Sequence, residues 1–176
     1  MGDVPTLVLR AQEGDREAFA FLYDEFAPLV RAVAYDATGC LQESEDLCQE
    51  VFLQAHKSLR QLRDPASFPS WLMVTTRRRC ASWGRAEKRR PSVGLDEVET
   101  PAVASAAHDD EIQRMLNAIR QLPPQERMAL HLFYLAEQPA ELARQTLGLS
   151  TAGFYKVLER AKRRASVLLQ ERKGPQ

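Results

Sequence analysis

Five cations, Arg77, Arg78, Arg85, Lys88 and Arg89, recur in the stretch SWLMVTTRRRCASWGRAEKRR (70–90). Turned at about 100° per residue, they gather within roughly a third of a helical wheel. Leu72, Met73, Thr76, Cys80 and Trp83 fall on a separate arc, so one seam can be buried while a cationic face is presented. Two chemistries suit such a face. It can be solvated, or it can neutralise a row of phosphates, because clustered Arg and Lys on one helix face match phosphate spacing.

No catalytic constellation accompanies it. His56, His108 and His131 are scattered without partnered carboxylates or a nucleophile, and no glycine-rich phosphate loop occurs. Cys40, Cys48 and Cys80 are odd in number and lack CxxC or Cys/His ligand spacing, so neither zinc nor a disulfide framework is expected. Cys48 and Cys80 fall on apolar faces and read as small core residues in a reducing compartment. The chain is expected to be no enzyme and to need neither metal nor cofactor.

The elements that must position the cationic face read as helices throughout. A short helix over 6–12 ends near Gly14, and Asp15 can cap a second running to about residue 37, before Gly39. Pro28 inside it predicts a kink or a division. Ser44 can cap a third helix, with Leu47, Val51, Phe52, Ala55, Leu59 and Leu62 as its buried stripe and Asp46, Gln49 and Glu50 largely off it. RDPASFPS (63–70) reads as a loop leading into the basic helix.

Residues 92–110 change character. They are acidic, small and proline-punctuated, without a sustained period, and predict a flexible linker between two small helical domains, 1–91 and 111–176. The fold class expected is therefore all-α. After the linker come helices over 111–122, 125–135 and 139–147, a turn at Gly148, a plausible N-cap at Ser150, and a long helix to about residue 172. Short helix, glycine turn and capped longer helix form the helix-turn-helix pattern. In the last helix Phe154, Leu158, Ala161, Ala165 and Leu168 share one side, and Lys156, Arg160, Arg163 and Arg164 cluster roughly opposite.

The formal net charge of the 176 residues is zero, which hides an alternation. Residues 1–60 hold five cations against eleven anions, and 61–91 eight against two. Residues 92–111 hold six anions and no cation, and 112–176 eleven cations against five anions. Local fields of this kind suit a nucleic-acid partner despite the neutral total. No run of about 18 apolar residues exists and no secretory signal is evident, so a cytoplasmic protein without membrane insertion is expected.

GDREAFAFLYDEFAPLV (14–30), SEDLCQEVFLQAHKSL (44–59), ASFPSWLMVTTRR (66–78), LPPQERMALHLFYL (122–135) and LGLS (147–150), followed by LERAKRRA (158–165), resemble in order and spacing the extracytoplasmic-function (ECF, group IV) sigma factors of bacterial RNA polymerase. The likeness covers nearly the whole chain. It implies a transcription initiation factor that binds core RNA polymerase and promoter DNA, with an anti-sigma factor as a further partner in many members. Asp46, Gln49 and Glu50 match the face that docks on the polymerase clamp. The 63–70 loop with Ser67 and Ser70 resembles the part that captures an unstacked minus-ten base, flanked by cations for the single strand. The second domain resembles the reader of the minus-35 element. Ser150, Thr151, Ala152, Tyr155 and Lys156 stand where bases are contacted, and Arg160, Arg163 and Arg164 where phosphates are.

The chain also departs from that pattern. Arg78 and Ser82 replace the usual Asn and Asp, and Gly153 interrupts the start of the long helix. Glu141-Leu142-Ala143 ends five residues before Gly148, one more than usual. Either the turn is longer by one residue, or Arg144 stands where a small residue normally packs. A sigma-like adaptor that binds protein partners without reading a promoter is the alternative.

Overall fold

The computed structural model describes residues 3–89 and 106–171, and every regular element among them is helical. The order is α1 (Val4–Gln12), α2 (Arg16–Thr38), α3 (Leu41–Ser58), α4 (Phe68–Glu87), α5 (Ala106–Arg120), α6 (Pro124–Leu135), α7 (Pro139–Leu147) and α8 (Thr151–Glu171). Two single-turn 3-10 segments, Leu59–Gln61 and Pro65–Ser67, join α3 to α4. Residues 92–105 of the expected linker lie outside the described residues. Residues 106–110, read as linker, belong to α5. Ala106 and Ala107 carry high helix propensity, which a search for apolar periodicity does not register.

In the first half α2 is the central rod, packed by α1, α3 and α4. Asp15 caps it as expected, its Oδ1 accepting the N–H groups of Glu17 at 3.0 Å and Ala18 at 3.1 Å. The Ala18 N–H, then Arg10, hold this exposed carboxyl below its ordinary range. Gly39 closes the helix at φ 71°, a left-handed conformation that a Cβ would strain. Pro28 does not divide it: α2 runs through, with Phe26, Ala27, Leu29 and Val30 buried on either side. Burial of this stripe stabilises the helix where one backbone hydrogen bond is forfeited.

Two expected boundaries move. The third helix begins at Leu41 rather than after a Ser44 cap. Ser44 is buried inside it and donates to the Leu41 carbonyl at 2.7 Å. The basic helix begins at Phe68, within the expected loop, because Pro69 is tolerated in a first turn where its missing N–H costs nothing. Phe68 is wholly buried with its ring 5.6 Å from Phe26, so packing fixes this start.

The second half packs α6 against α7 and α8, and α5 against α8. Leu122, Ala129, Leu132, Leu142, Ala143, Phe154, Leu158 and Ala161 form its core. Gly148 turns the chain at φ 67°. Ala143 is wholly buried while Arg144 is exposed and paired with Glu141, so the additional residue before Gly148 is taken up within α7.

The halves meet where α6 lies on α2 and α7 on α4. There Asp36 Oδ2 stands 2.9 Å from His131 Nε2 and 3.2 Å from Arg127 Nε. His131 was expected to lack a carboxylate partner. It has one, 95 positions earlier in the chain.

Candidate nucleic-acid interface

On α4, Leu72, Met73, Thr76 and Cys80 are buried and Trp83 is partly so, as the wheel requires. Arg77, Arg78 and Arg85 are exposed on the same helix, and Lys88 and Arg89 on the turn after it. Arg89 Nε donates to the Arg85 carbonyl at 3.1 Å. Arg77, Arg78 and Arg85 have no carboxylate partner among the described residues. Uncompensated guanidiniums along one exposed face can accept a row of anions. Arg77 also lines a cleft of about 720 Å³ between the halves, with Asp36, Cys80, Arg127 and Met128.

The segment before α4 is compact. Asp64 caps its 3-10 turn through the Ala66 N–H at 3.1 Å. Ser67 Oγ donates to the Asp64 carbonyl at 2.6 Å, and Ser70 Oγ to the Ser67 carbonyl at 2.9 Å. Both hydroxyls are half-buried and brace the turn. Trp71 packs on Phe68, its ring 6.0 Å away.

On α3, Asp46, Gln49 and Glu50 are all exposed, clear of the buried Leu47, Cys48, Val51 and Phe52. Glu50 is not free: it pairs with Arg79 of α4, a residue the sequence did not single out. The proposed partner face and the cationic helix are thus tied together at one edge. Burial pushes the Cys48 and Cys80 thiols up to about 11, which leaves both protonated and unreactive near neutrality.

At the start of α8, Ser150 Oγ accepts the Gly153 N–H at 3.1 Å, the bond of an N-cap. A Cβ at Gly153 would lie 3.2 Å from that oxygen, a local reason for glycine. Thr151, Ala152, Tyr155 and Lys156 are exposed around this end, and Arg163 a little further along. Arg160 and Arg164 differ: Glu126 Oε1 of α6 accepts from Arg160 Nε at 2.8 Å and from Arg164 Nη1 at 3.0 Å. Glu126 has almost no exposed surface. A carboxylate stepping in phase with Leu122, Ala129 and Leu130 was the sequence signal for it, and it was missed.

Among the described residues no group of three or more His, Cys, Asp or Glu could hold a metal ion. Nor is any of their helices long and apolar enough to cross a membrane. The site therefore defines an all-helical protein with two exposed cationic helix faces. The Sigma-70 region 2 family matches residues 22–90, from within α2 to just beyond α4. The probable RNA polymerase sigma factor RfaY of Xanthomonas campestris pv. campestris is 33% identical over 86% of this chain and 40% of its own length. The ECF RNA polymerase sigma factor SigM of Bacillus subtilis is 32% identical over 71% of this chain and 78% of its own. The chain thus spans less than half of the first relative and about three quarters of the second. CnrH, solved in complex with the cytosolic domain of CnrY, shares the fold at a TM-score of 0.69 with 21% identity, over 96% of this chain and 97% of that one. The chain belongs to the ECF sigma factors of RNA polymerase.

Proposed function

We propose that the chain is a cytoplasmic initiation factor that binds core RNA polymerase and directs it to promoters, melting the minus-ten element with its first half and reading the minus-35 element with its second. The observation that carries this reading is the face of α4, where exposed Arg77, Arg78 and Arg85, without carboxylate partners among the described residues, follow the braced Ser67–Ser70 turn. A single strand held open needs cations along its backbone beside a place for an extruded base. The first half of the α8 face, Thr151, Ala152, Tyr155 and Lys156, supplies the base-edge contacts, and Arg160, Arg163 and Arg164 the phosphate contacts.

Asp46, Gln49 and Glu50 form the polymerase-docking surface. Reversing Glu50 would also set a cation beside Arg79, so Asp46→Arg with Gln49→Arg is the cleaner test. Both positions are exposed, so the double variant should keep its helical circular dichroism and lose core polymerase in a pull-down. Undiminished binding would overturn the assignment. An anti-sigma factor, seated on this chain as the cytosolic domain of CnrY is on CnrH, is a further expected partner.

A further inference from the structure

Glu126 is a buried carboxylate with two guanidiniums on one of its oxygens, an arrangement that core packing alone does not require. It sits in the first turn of α6 with 2% of its surface exposed, and its Oε2 has no hydrogen-bond partner. Arg160 and Arg164, one turn apart on α8, are each about half exposed. Arg160 uses only Nε and Arg164 only Nη1 in holding the carboxylate. A guanidinium carries five N–H donors in a fixed fork, so most donors of both forks remain for another anion. One negative charge against two positive ones leaves the cluster cationic.

We infer that Glu126 is a positioning residue for DNA binding: it pins the roots of Arg160 and Arg164 so that their remaining donors face a phosphate already ordered. This rests on the reading of α8 as a DNA-contacting helix. An unpinned arginine loses rotamer freedom when a phosphate immobilises it, and its like-charged neighbour one turn away drives it aside. Glu126 removes both costs before DNA arrives. The opposing effect has the opposite sign, since a buried anion behind the two cations weakens their attraction for phosphate. Removing the Glu126 charge therefore discriminates: loss of positioning weakens DNA binding, and loss of a merely neutralising anion strengthens it.

The test is the affinity of the full chain for a double-stranded DNA oligonucleotide of mixed sequence, measured by fluorescence anisotropy over a range of salt. Glu126→Gln, which keeps the shape but loses the charge, should weaken binding about 5-fold with the salt slope unchanged, because the number of cations is unchanged. In the Arg160→Ala/Arg164→Ala background the same substitution should change affinity by less than about 2-fold, which a general structural role would not reproduce. Unchanged or tighter binding by Glu126→Gln would overturn the inference. Should that variant lose its helical signal, Arg160→Lys asks the question from the exposed side. It keeps the charge and loses the Nε bond, so weaker binding at an unchanged slope supports positioning and wild-type affinity contradicts it. If Arg160→Ala/Arg164→Ala itself keeps wild-type affinity and slope, the reading of α8 as a DNA-contacting helix fails, not the positioning alone.

Discussion

The two cationic helices, α4 and α8, are seated alike and charged differently. Each carries a wholly buried phenylalanine in its first turn, Phe68 in one and Phe154 in the other. Beyond that anchor they diverge. On α4, Arg77, Arg78 and Arg85 stand without carboxylate partners among the described residues. In the second half many of the cations are held: Arg160 and Arg164 by Glu126, Arg144 by Glu141, and Lys162 over the Phe133 ring at 4.1 Å. The difference fits the two proposed tasks. A melted strand is pliable and needs diffuse attraction, whereas a duplex groove needs donors fixed in register.

The largest effect should come from the shared anchors. Phe68→Ala and Phe154→Ala should each destabilise the chain by about 3–5 kcal/mol, as truncation of a buried aromatic does. Thiol labelling separates them, because the cysteines all lie in the first half. Phe68→Ala should expose Cys48 and Cys80 to reagent at mild denaturant, and Phe154→Ala should leave them protected while the second half unfolds. Labelling of both thiols in Phe154→Ala as readily as in Phe68→Ala would mean that the halves fold as one unit.

Next comes the contact between the halves. Asp36→Ala removes the carboxylate that stands between Arg127 and His131 and should cost about 1–3 kcal/mol in chemical denaturation. The chain's hydrodynamic radius should rise with its helical content unchanged. Smaller still is the charge effect on α4. Arg77→Ala with Arg78→Ala should flatten the salt dependence of single-stranded DNA affinity by about 1.4 in log–log slope. Arg144→Ala, already neutralised by Glu141, should leave it unchanged.

The smallest effect concerns Glu141 and pH. Hydrogen bonds from Arg144 and then Gln145 lower its carboxyl from 4.5 to about 2. A depressed folded value contributes stability above the unfolded value and loses it as pH falls through the folded one. The thermal midpoints of wild type and Glu141→Gln should therefore keep a constant small gap down to about pH 4.5 and converge as pH drops through about 2.

Most helices were legible because apolar residues recur at helical spacing and Asp15, Gly39, Gly148 and Ser150 punctuate them. The starts of α3 and α4 were not, because burial of Ser44 and Phe68 outweighs the local signals of a serine cap and a proline-rich loop. The cationic positions were readable from type and spacing. Their partners were not, since Glu126 meets Arg160 across 34 positions and Asp36 meets His131 across 95. The apolar phase of α6 marks Glu126 as buried, but which distant cations it meets leaves no periodic trace in one sequence.

The central claim is tested most directly by in vitro transcription with core RNA polymerase and the purified chain on a library of random promoters, with start sites mapped. The account predicts starts that cluster behind shared minus-35 and minus-ten sequences, and that vanish with Asp46→Arg/Gln49→Arg. A chain that binds core polymerase yet yields no starts above those of core alone would contradict it.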